Sequence, residues 1–221
     1  MSENPKNIDF WENVLKNSPK SYQDWFREEK EYLTKTIDKD SAVLEVGCGD
    51  GRSIFDILEK TKDIVGIDHD ETAVKHAKAN FKDIPQIKIQ LADAEDLPFE
   101  NGSFDHVVCM TTFANFGQKK YKILEEMRRV LKDSGTIILS VFSEDALEER
   151  MKVYKSTGVK IKEIKPDGKI TFDESVGDNV SEQFSKTELL GIFKKAALNP
   201  DDIKKVNMAY LCKLSKQKDG K

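Results

Sequence analysis

Apolar residues in the middle of this chain alternate between two spacings, one typical of strands and one typical of helices. Short apolar runs of strand length occupy residues 42–46, 64–67, 87–91, 106–110 and 136–142. Between these runs, apolar residues recur at helical spacing over residues 52–60, 71–80 and 121–131. Strands that alternate with helices predict an α/β fold with a mostly parallel sheet and helices on both faces.

The N-terminal region is predicted to be helical. Apolar residues at helical spacing indicate helix over residues 8–37, with a break at Pro19. Tyr22 and Trp25 belong to this stretch. Their spacing is typical of core packing, and it also fits a lid over a ligand site.

A predicted β-hairpin interrupts the α/β series. Polar and apolar residues alternate strictly over 159–162 and 169–172, and Pro166-Asp167-Gly168 forms the turn between them. Insertions of this kind often carry substrate choice on a fixed scaffold. The hairpin holds four lysines, which form either a solvated face or contacts to an anionic acceptor: Lys160, Lys162, Lys165 and Lys169.

The C-terminal region returns to regular elements. A capping-box pattern at residues 185–188 begins a helix that extends to about Ala197, and Asn199-Pro200 ends it. Strands are predicted over residues 203–206 and 209–214. We interpret 1–221 as one domain with five parts: a helical cap (1–39), a core (40–142), an insertion (143–183), a C-terminal helix and strands (184–215) and a tail (216–221).

Composition restricts the class of protein. The 221 residues are 34% charged and 38% hydrophobic, and the formal net charge is -4. This balance argues against a large nucleic-acid footprint, which needs a basic face. No apolar run approaches the length of a membrane span or of a signal peptide. Three widely separated cysteines fit neither a disulfide framework nor a metal site, which favours a cytoplasmic protein.

Three glycines mark a candidate binding loop. Gly47, Gly49 and Gly51 follow a predicted strand and precede a predicted helix. Glycine permits a positive φ and lets a ligand approach the backbone. The same loop is compatible with a tight turn that binds nothing. Its G-x-G-x-G spacing differs from the dinucleotide fingerprint and from the phosphate-binding P-loop.

Acidic residues end the next two predicted strands. Asp68 lies where a carboxylate accepts hydrogen bonds from both hydroxyls of a ribose, although it is also a candidate helix N-cap. Asp93 is placed to accept from an exocyclic amine of adenine, with the Ala94 N–H donating to a ring nitrogen. Ligands of open α/β sheets bind at these carboxyl ends, where Glu45 also lies.

Five ordered segments resemble the motifs of class I S-adenosylmethionine-dependent methyltransferases: residues 43–51, 65–68, 93–99, 104–108 and 126–136. The sequences of these segments are similar to those of the small-molecule branch, which includes ubiquinone and menaquinone methyltransferases. The family usually has Gly-Gly where this chain has Ser134-Gly135. The resemblance implies a Rossmann-like seven-stranded sheet whose last strand is reversed. It also implies S-adenosylmethionine as cofactor, S-adenosylhomocysteine as product, and these cofactor-binding residues: Glu45, Gly47, Cys48, Gly49, Gly51, Asp68, His69, Asp93, Ala94, Glu95 and Met110.

Methyl transfer from a sulfonium requires mainly alignment and exclusion of water, so no catalytic residue is assigned from a motif. Phe113, Asn115 and Phe116 follow the fourth strand, where this fold brings the acceptor to the methyl group. They either wall the acceptor pocket, together with Tyr22 and Trp25, or pack a following helix. No metal site is predicted.

The leading hypothesis is a methyltransferase that acts on a small-molecule acceptor. An RNA or protein methyltransferase is a second hypothesis, and it requires a basic surface near the strand ends. A domain that binds the cofactor without turnover is a third.

Overall fold

A seven-stranded sheet forms the centre of the computed structural model, which describes residues 18–173 and 180–217. Its strands are β1 (Val43–Val46), β2 (Ile64–Asp68), β3 (Lys88–Leu91), β4 (Phe104–Met110), β5 (Leu131–Phe142), β9 (Leu198–Val206) and β10 (Ala209–Lys216). They lie in the order β3-β2-β1-β4-β5-β10-β9. Strands β3 to β5 pair in parallel, whereas β10 is antiparallel to both of its neighbours. The predicted mostly parallel sheet with a reversed last strand is confirmed.

Helices cover both faces of this sheet, as the sequence predicts. They are α1 (Lys20–Thr36), α2 (Arg52–Ile57), α3 (Glu71–Asn80), α4 (Lys120–Val130), α5 (Leu147–Thr157) and α6 (Lys186–Lys195). Neighbouring strand residues belong to opposite cores: Leu44 packs with α4 and α6, whereas Val43 packs with α1, α2 and α3. No described helix has the length and apolar character needed to cross a membrane.

The N-terminal helix buries its aromatic residues. Helix α1 begins directly after Pro19, so the predicted break is confirmed. Trp25 is fully buried, and its indole N–H donates to Ser140 Oγ at 2.7 Å. The Tyr22 ring packs edge-on against Phe142, with 6.3 Å between centroids. These contacts are those of a core. The predicted helix over residues 8–17 lies outside the described residues, so the cap of residues 1–39 stays a prediction.

The predicted hairpin is present and belongs to a three-stranded sheet. Strands β6 (Ile161–Ile164) and β7 (Ile170–Phe172) pair antiparallel, and β8 (Val180–Ser181) pairs with β7. Lys169 lies 3.1 Å from Glu182, so it is ion-paired rather than part of a solvated face. The other three lysines of the hairpin are exposed.

Helix α5, which the sequence pattern did not predict, attaches this small sheet to the domain. Its buried residue is Arg150, whose guanidinium donates to Gly168 O at 2.9 Å and to Ser181 O at 2.6 Å. The guanidinium also lies 4.9 Å from the centre of the Phe142 ring, at the end of β5. One side chain therefore links α5, β8, the hairpin turn and the central sheet.

Two predicted helix ends were wrong. Helix α2 ends at Ile57 rather than at residue 60, and α6 ends at Lys195 rather than near Ala197. Asn199-Pro200 does not end α6, because both residues lie within β9. Strand β9 is the edge of the sheet, where proline is tolerated because no neighbour needs its missing N–H. The Ser185 capping box that begins α6 is confirmed.

Candidate cofactor and acceptor site

A cavity of about 820 Å³ opens at the carboxyl ends of β1, β2 and β4. This is the edge of an open α/β sheet at which ligands bind. The cavity is lined by these residues of the sequence prediction: Gly47, Cys48, Gly49, Asp68, His69, Asp93, Ala94, Met110, Asn115 and Phe116. The fold therefore gathers residues from five separate segments at one site.

The glycine loop is held against the segment that follows β4. Thr112 Oγ1 donates to Gly47 O at 2.9 Å. Gly47 has a φ of 73°, and a Cβ added there would lie 2.3 Å from Thr112 Cγ2. The N–H groups of Gly47 and Cys48 both donate to Ile67 O at 2.9 Å. Because only glycine allows this approach, the loop and the post-β4 segment form one rigid wall of the cavity.

Asp68 orders the glycine loop from the end of β2. One carboxylate oxygen accepts from the Gly49 N–H at 2.8 Å, and the other accepts from the Asp70 N–H at 3.0 Å. Asp70, not Asp68, caps α3, because its side chain accepts from the N–H groups of Thr72 and Ala73. The alternative interpretation of Asp68 as an N-cap is therefore wrong. Each oxygen keeps a further lone pair for a ligand hydroxyl.

The end of β3 supplies the other acidic wall. Asp93 and Ala94 line the cavity, and Asp93 Oδ1 accepts from the Glu95 N–H at 2.8 Å. Glu95 itself lies outside the lining and pairs with Lys119 at 3.0 Å. The hydrogen bond from Glu95 thus holds the Asp93 carboxylate in place. The Glu95 carboxylate itself neutralises Lys119 of the cavity wall.

Other predicted site residues lie outside the lining of this cavity. Gly51 faces the ring of Phe81, which would lie 2.2 Å from an added Cβ. Tyr22 and Trp25 are core residues of α1. Phe113 is fully buried and packs against the rings of Phe116 and Phe184, each at 5.8 Å.

Replacing Phe113 and Phe116 separately compares the stability contribution of a core residue with that of a cavity-wall residue. We expect Phe113→Ala to lower the free energy of unfolding by about 3–5 kcal/mol, because it empties a core position. Phe116→Ala, at a half-buried residue of the cavity wall, should cost about 1–2 kcal/mol. Urea denaturation followed by circular dichroism measures both. Equal losses would contradict this division of roles.

Charged residues lie behind the loop, and among them is Glu45, which the resemblance implies as a cofactor-binding residue. Arg52 lines the cavity and pairs with the fully buried Glu29 of α1 at 2.6 Å. Glu45 is also fully buried, outside the lining, and accepts from Ser53 Oγ. Burial raises the pKa of Glu45 to about 8, against the lowering effects of Ser53 and Arg52. Within this group, Glu45 was a candidate from the sequence, whereas Glu29 and Arg52 were not candidate site residues.

Cys48 contributes shape rather than reactivity. Its side chain is buried beneath the loop, and burial raises the pKa of its thiol well above the usual range. The thiol therefore stays protonated and is a poor nucleophile. Within residues 18–173 and 180–217, no group of three or more His, Cys, Asp or Glu side chains is placed to hold a metal ion.

Part of this chain is similar to known methyltransferases. Residues 43–135 match the family described as a methyltransferase domain. The chain is 29% identical to a probable S-adenosylmethionine-dependent methyltransferase of Mycobacterium tuberculosis, over 52% of this chain and 42% of that protein. It is 34% identical to the ubiquinone/menaquinone biosynthesis C-methyltransferase UbiE of Citrifermentans bemidjiense, over 48% of this chain and 47% of that protein. The chain thus matches about half the length of these relatives.

The fold is shared with solved structures. A Pyrococcus horikoshii protein superposes with a TM-score of 0.69 at 24% identity, and the match covers 86% of this chain and 91% of that one. The resemblance that the sequence motifs predict is confirmed for a methyltransferase domain over residues 43–135, and the solved structure confirms the fold.

Proposed function

We propose, from the premise that this chain carries a methyltransferase domain of the S-adenosylmethionine-dependent class, that it transfers the methyl group of that cofactor to a small-molecule acceptor. The observation that carries the proposal is the cavity at the strand ends, with the glycine loop on one wall and Asp68 and Asp93 on the next. The matched family spans these residues. The cavity volume of about 820 Å³ suits a nucleoside joined to an amino acid and leaves room beside it for an acceptor.

The residues present fit the cofactor part by part. The open space beside Gly49, where nothing lies within 4 Å of an added Cβ, suits the methionine portion. The Asp68 carboxylate suits the two ribose hydroxyls, because it presents two oxygens at the end of β2. Asp93 and Ala94 suit the adenine edge, with Met110 as an apolar contact. When bound, the cofactor supplies a methyl group already activated by the positive charge on sulfur.

The chain's own contribution to the reaction is alignment. The bond from Thr112 to Gly47 fixes the post-β4 segment relative to the loop, so an acceptor beside Asn115 and Phe116 is held at a set distance from the methyl. Among the described lining residues, the carboxylates belong to the loop and to the segments at the ends of β2 and β3, and none belongs to the segment that carries Asn115. We infer that the acceptor atom is nucleophilic without a general base from these residues.

A small acceptor is favoured over RNA or protein by three observations. The cavity wall beside Asn115 combines an apolar ring, Phe116, with the uncharged amide of Gln118 and the side chain of Ile123. The formal net charge of -4 provides no general attraction for nucleic acid. The relative from Citrifermentans bemidjiense is named for quinone biosynthesis, which supports a small acceptor here. We also propose a cytoplasmic location, since the three cysteines are free and buried.

Calorimetry followed by an acceptor screen tests the proposal. We expect S-adenosylmethionine and S-adenosylhomocysteine to bind with micromolar affinity, and radiolabelled methyl to pass to a metabolite extract rather than to RNA or protein. No heat from either ligand at millimolar concentration would contradict the cofactor assignment. Label in RNA or protein would establish the second hypothesis, and binding without transfer to any acceptor would favour the third.

A further inference from the structure

One wall of the cavity comes from the small sheet rather than from the central sheet. Val180 of β8 lines the cavity, and so do Phe116 and Ile123, which gives this part of the lining an apolar character. None of these three residues belongs to the glycine loop or to the ends of β2 and β3, which are proposed to hold the methyl donor. Val180 therefore belongs to the part of the lining that is left for the acceptor.

Close contacts join β8 to the segment that follows β4. The Glu182 N–H donates to Ala114 O at 2.8 Å. Gly117 has a φ of 53°, and a Cβ added there would lie 3.2 Å from Val180 Cγ2. The strand thus packs directly on the segment that carries Phe116, a residue of the proposed acceptor wall.

A buried ion pair strengthens the same contact. Lys120, the first residue of α4, donates to Glu182 Oε2 at 2.9 Å and to Gly117 O at 2.6 Å. The other Glu182 oxygen accepts from Lys169 of the hairpin at 3.1 Å. Lys120 and Glu182 are only 5% and 8% exposed, so water screens their attraction weakly. The Lys120 ammonium thus joins β8 to the post-β4 segment.

This arrangement constrains geometry more than stability requires. A buried ion pair often stabilises a fold no better than two apolar side chains of similar volume, because both charges lose their hydration. The ammonium, however, restricts the positions of its partners, since its N–H groups must point at oxygen atoms. The Lys120–Glu182 pair therefore fixes the position of Val180 relative to the segment that carries Phe116.

We propose that Val180 determines which acceptors this chain methylates, and that the Lys120–Glu182 pair positions Val180 for this role. This inference rests on the proposed function. The acceptor that it predicts has an apolar part, which contacts Val180 and Phe116 while the donor occupies the glycine loop. Neither Lys120 nor Glu182 lines the cavity, so both are positioning residues that act through Val180 and Gly117.

Steady-state kinetics of the full chain test the role of Val180. The probe is the compound that the natural chain labels most strongly in the small-molecule fraction of a cell extract, purified from that extract. We expect Val180→Ala to raise its KM by about tenfold, because two methyl groups leave the pocket wall, and to leave kcat within about threefold. The affinity for S-adenosylhomocysteine, measured by calorimetry, should stay within about twofold. Ile164→Ala, at an exposed residue of the same small sheet, is the matched control and should leave KM unchanged.

A double substitution separates positioning from stability. Lys120→Met leaves Glu182 buried without this cation, so it should lower the Tm and raise the KM of the same compound by about tenfold. Combining it with Glu182→Leu removes both charges, so the Tm should recover towards that of the natural chain. We expect KM to stay raised, because the bond from Lys120 to Gly117 O is still absent. Lys122→Met, at an exposed lysine of the same helix, should change neither quantity.

The pattern of KM and kcat decides the outcome. A merely structural role would reduce the folded fraction, which lowers kcat and leaves KM unchanged. That pattern in Val180→Ala or in Lys120→Met overturns the inference, and so does a natural KM in the double variant. If the natural chain transfers no methyl group to any compound of the extract, the proposed function itself fails.

Discussion

Asp68→Ala is expected to weaken the binding of S-adenosylmethionine by at least about 100-fold. A hydrogen bond to a charged group contributes about 1.5–3 kcal/mol, and the proposed site offers this carboxylate to two ribose hydroxyls. The substitution also removes the acceptor for the Gly49 N–H, which loosens the loop. Calorimetric titration measures the affinity, and circular dichroism verifies that the variant is folded.

Two matched variants separate recognition from loss of charge. Asp63→Ala removes an exposed carboxylate immediately before β2, and we expect no change in affinity beyond about twofold. Asp68→Asn keeps the shape and one acceptor oxygen, so it should fall between the natural chain and the alanine variant. If Asp68→Asn binds as tightly as the natural chain, the carboxylate is not the ribose ligand.

Gly47→Ala should have the largest combined effect on stability and binding. The φ of 73° costs a non-glycine residue about 1 kcal/mol, and the contact of 2.3 Å to Thr112 Cγ2 adds about 1–3 kcal/mol of overpacking. We therefore expect a loss of about 2–4 kcal/mol in the free energy of unfolding, measured by urea denaturation. Cofactor binding should weaken as well, since Thr112 must move away from the loop.

Gly158→Ala is the matched control for backbone strain. Gly158 ends α5 with a φ of 70°, and nothing lies within 4 Å of an added Cβ. Its replacement should cost about 1 kcal/mol and leave ligand binding unchanged. Equal destabilisation by the two variants would show that the contact with Thr112 does not matter.

The residues proposed to hold the cofactor could be selected from the sequence because their signals are local. Glycines after an apolar run, and acids at the ends of the next two runs, depend only on neighbouring residues and on the rule that parallel strands end at one edge. When β1, β2 and β3 are neighbours in a parallel sheet, Gly47, Asp68 and Asp93 lie at the same edge of that sheet. The structure shows that Asp70, rather than Asp68, caps α3. The sequence could not decide this, because the two residues are only two positions apart.

The buried charges were not predictable from the pattern of apolar residues. Helix α5 was missed because the residue that it buries is Arg150, which periodicity counts as polar. Glu29 is also polar, and it lies on the buried face of α1. Each is buried because of a partner that is distant in sequence: Ser181 for Arg150 and Arg52 for Glu29. A single sequence contains no local sign of such pairs.

The cavity wall has one part that is fixed and one that is exchangeable. Thr112 is hydrogen-bonded to the glycine loop, so a substitution of Thr112 also disturbs the loop that is proposed to hold the methyl donor. Val180 of β8 lines the same cavity, but its small sheet is joined to the domain mainly through Arg150, the bond from Glu182 N–H to Ala114 O, and the Lys120–Glu182 ion pair. We therefore expect substitutions in the hairpin to leave the binding of the proposed methyl donor intact. Libraries aimed at new acceptors should begin at β8 and leave Thr112 unchanged.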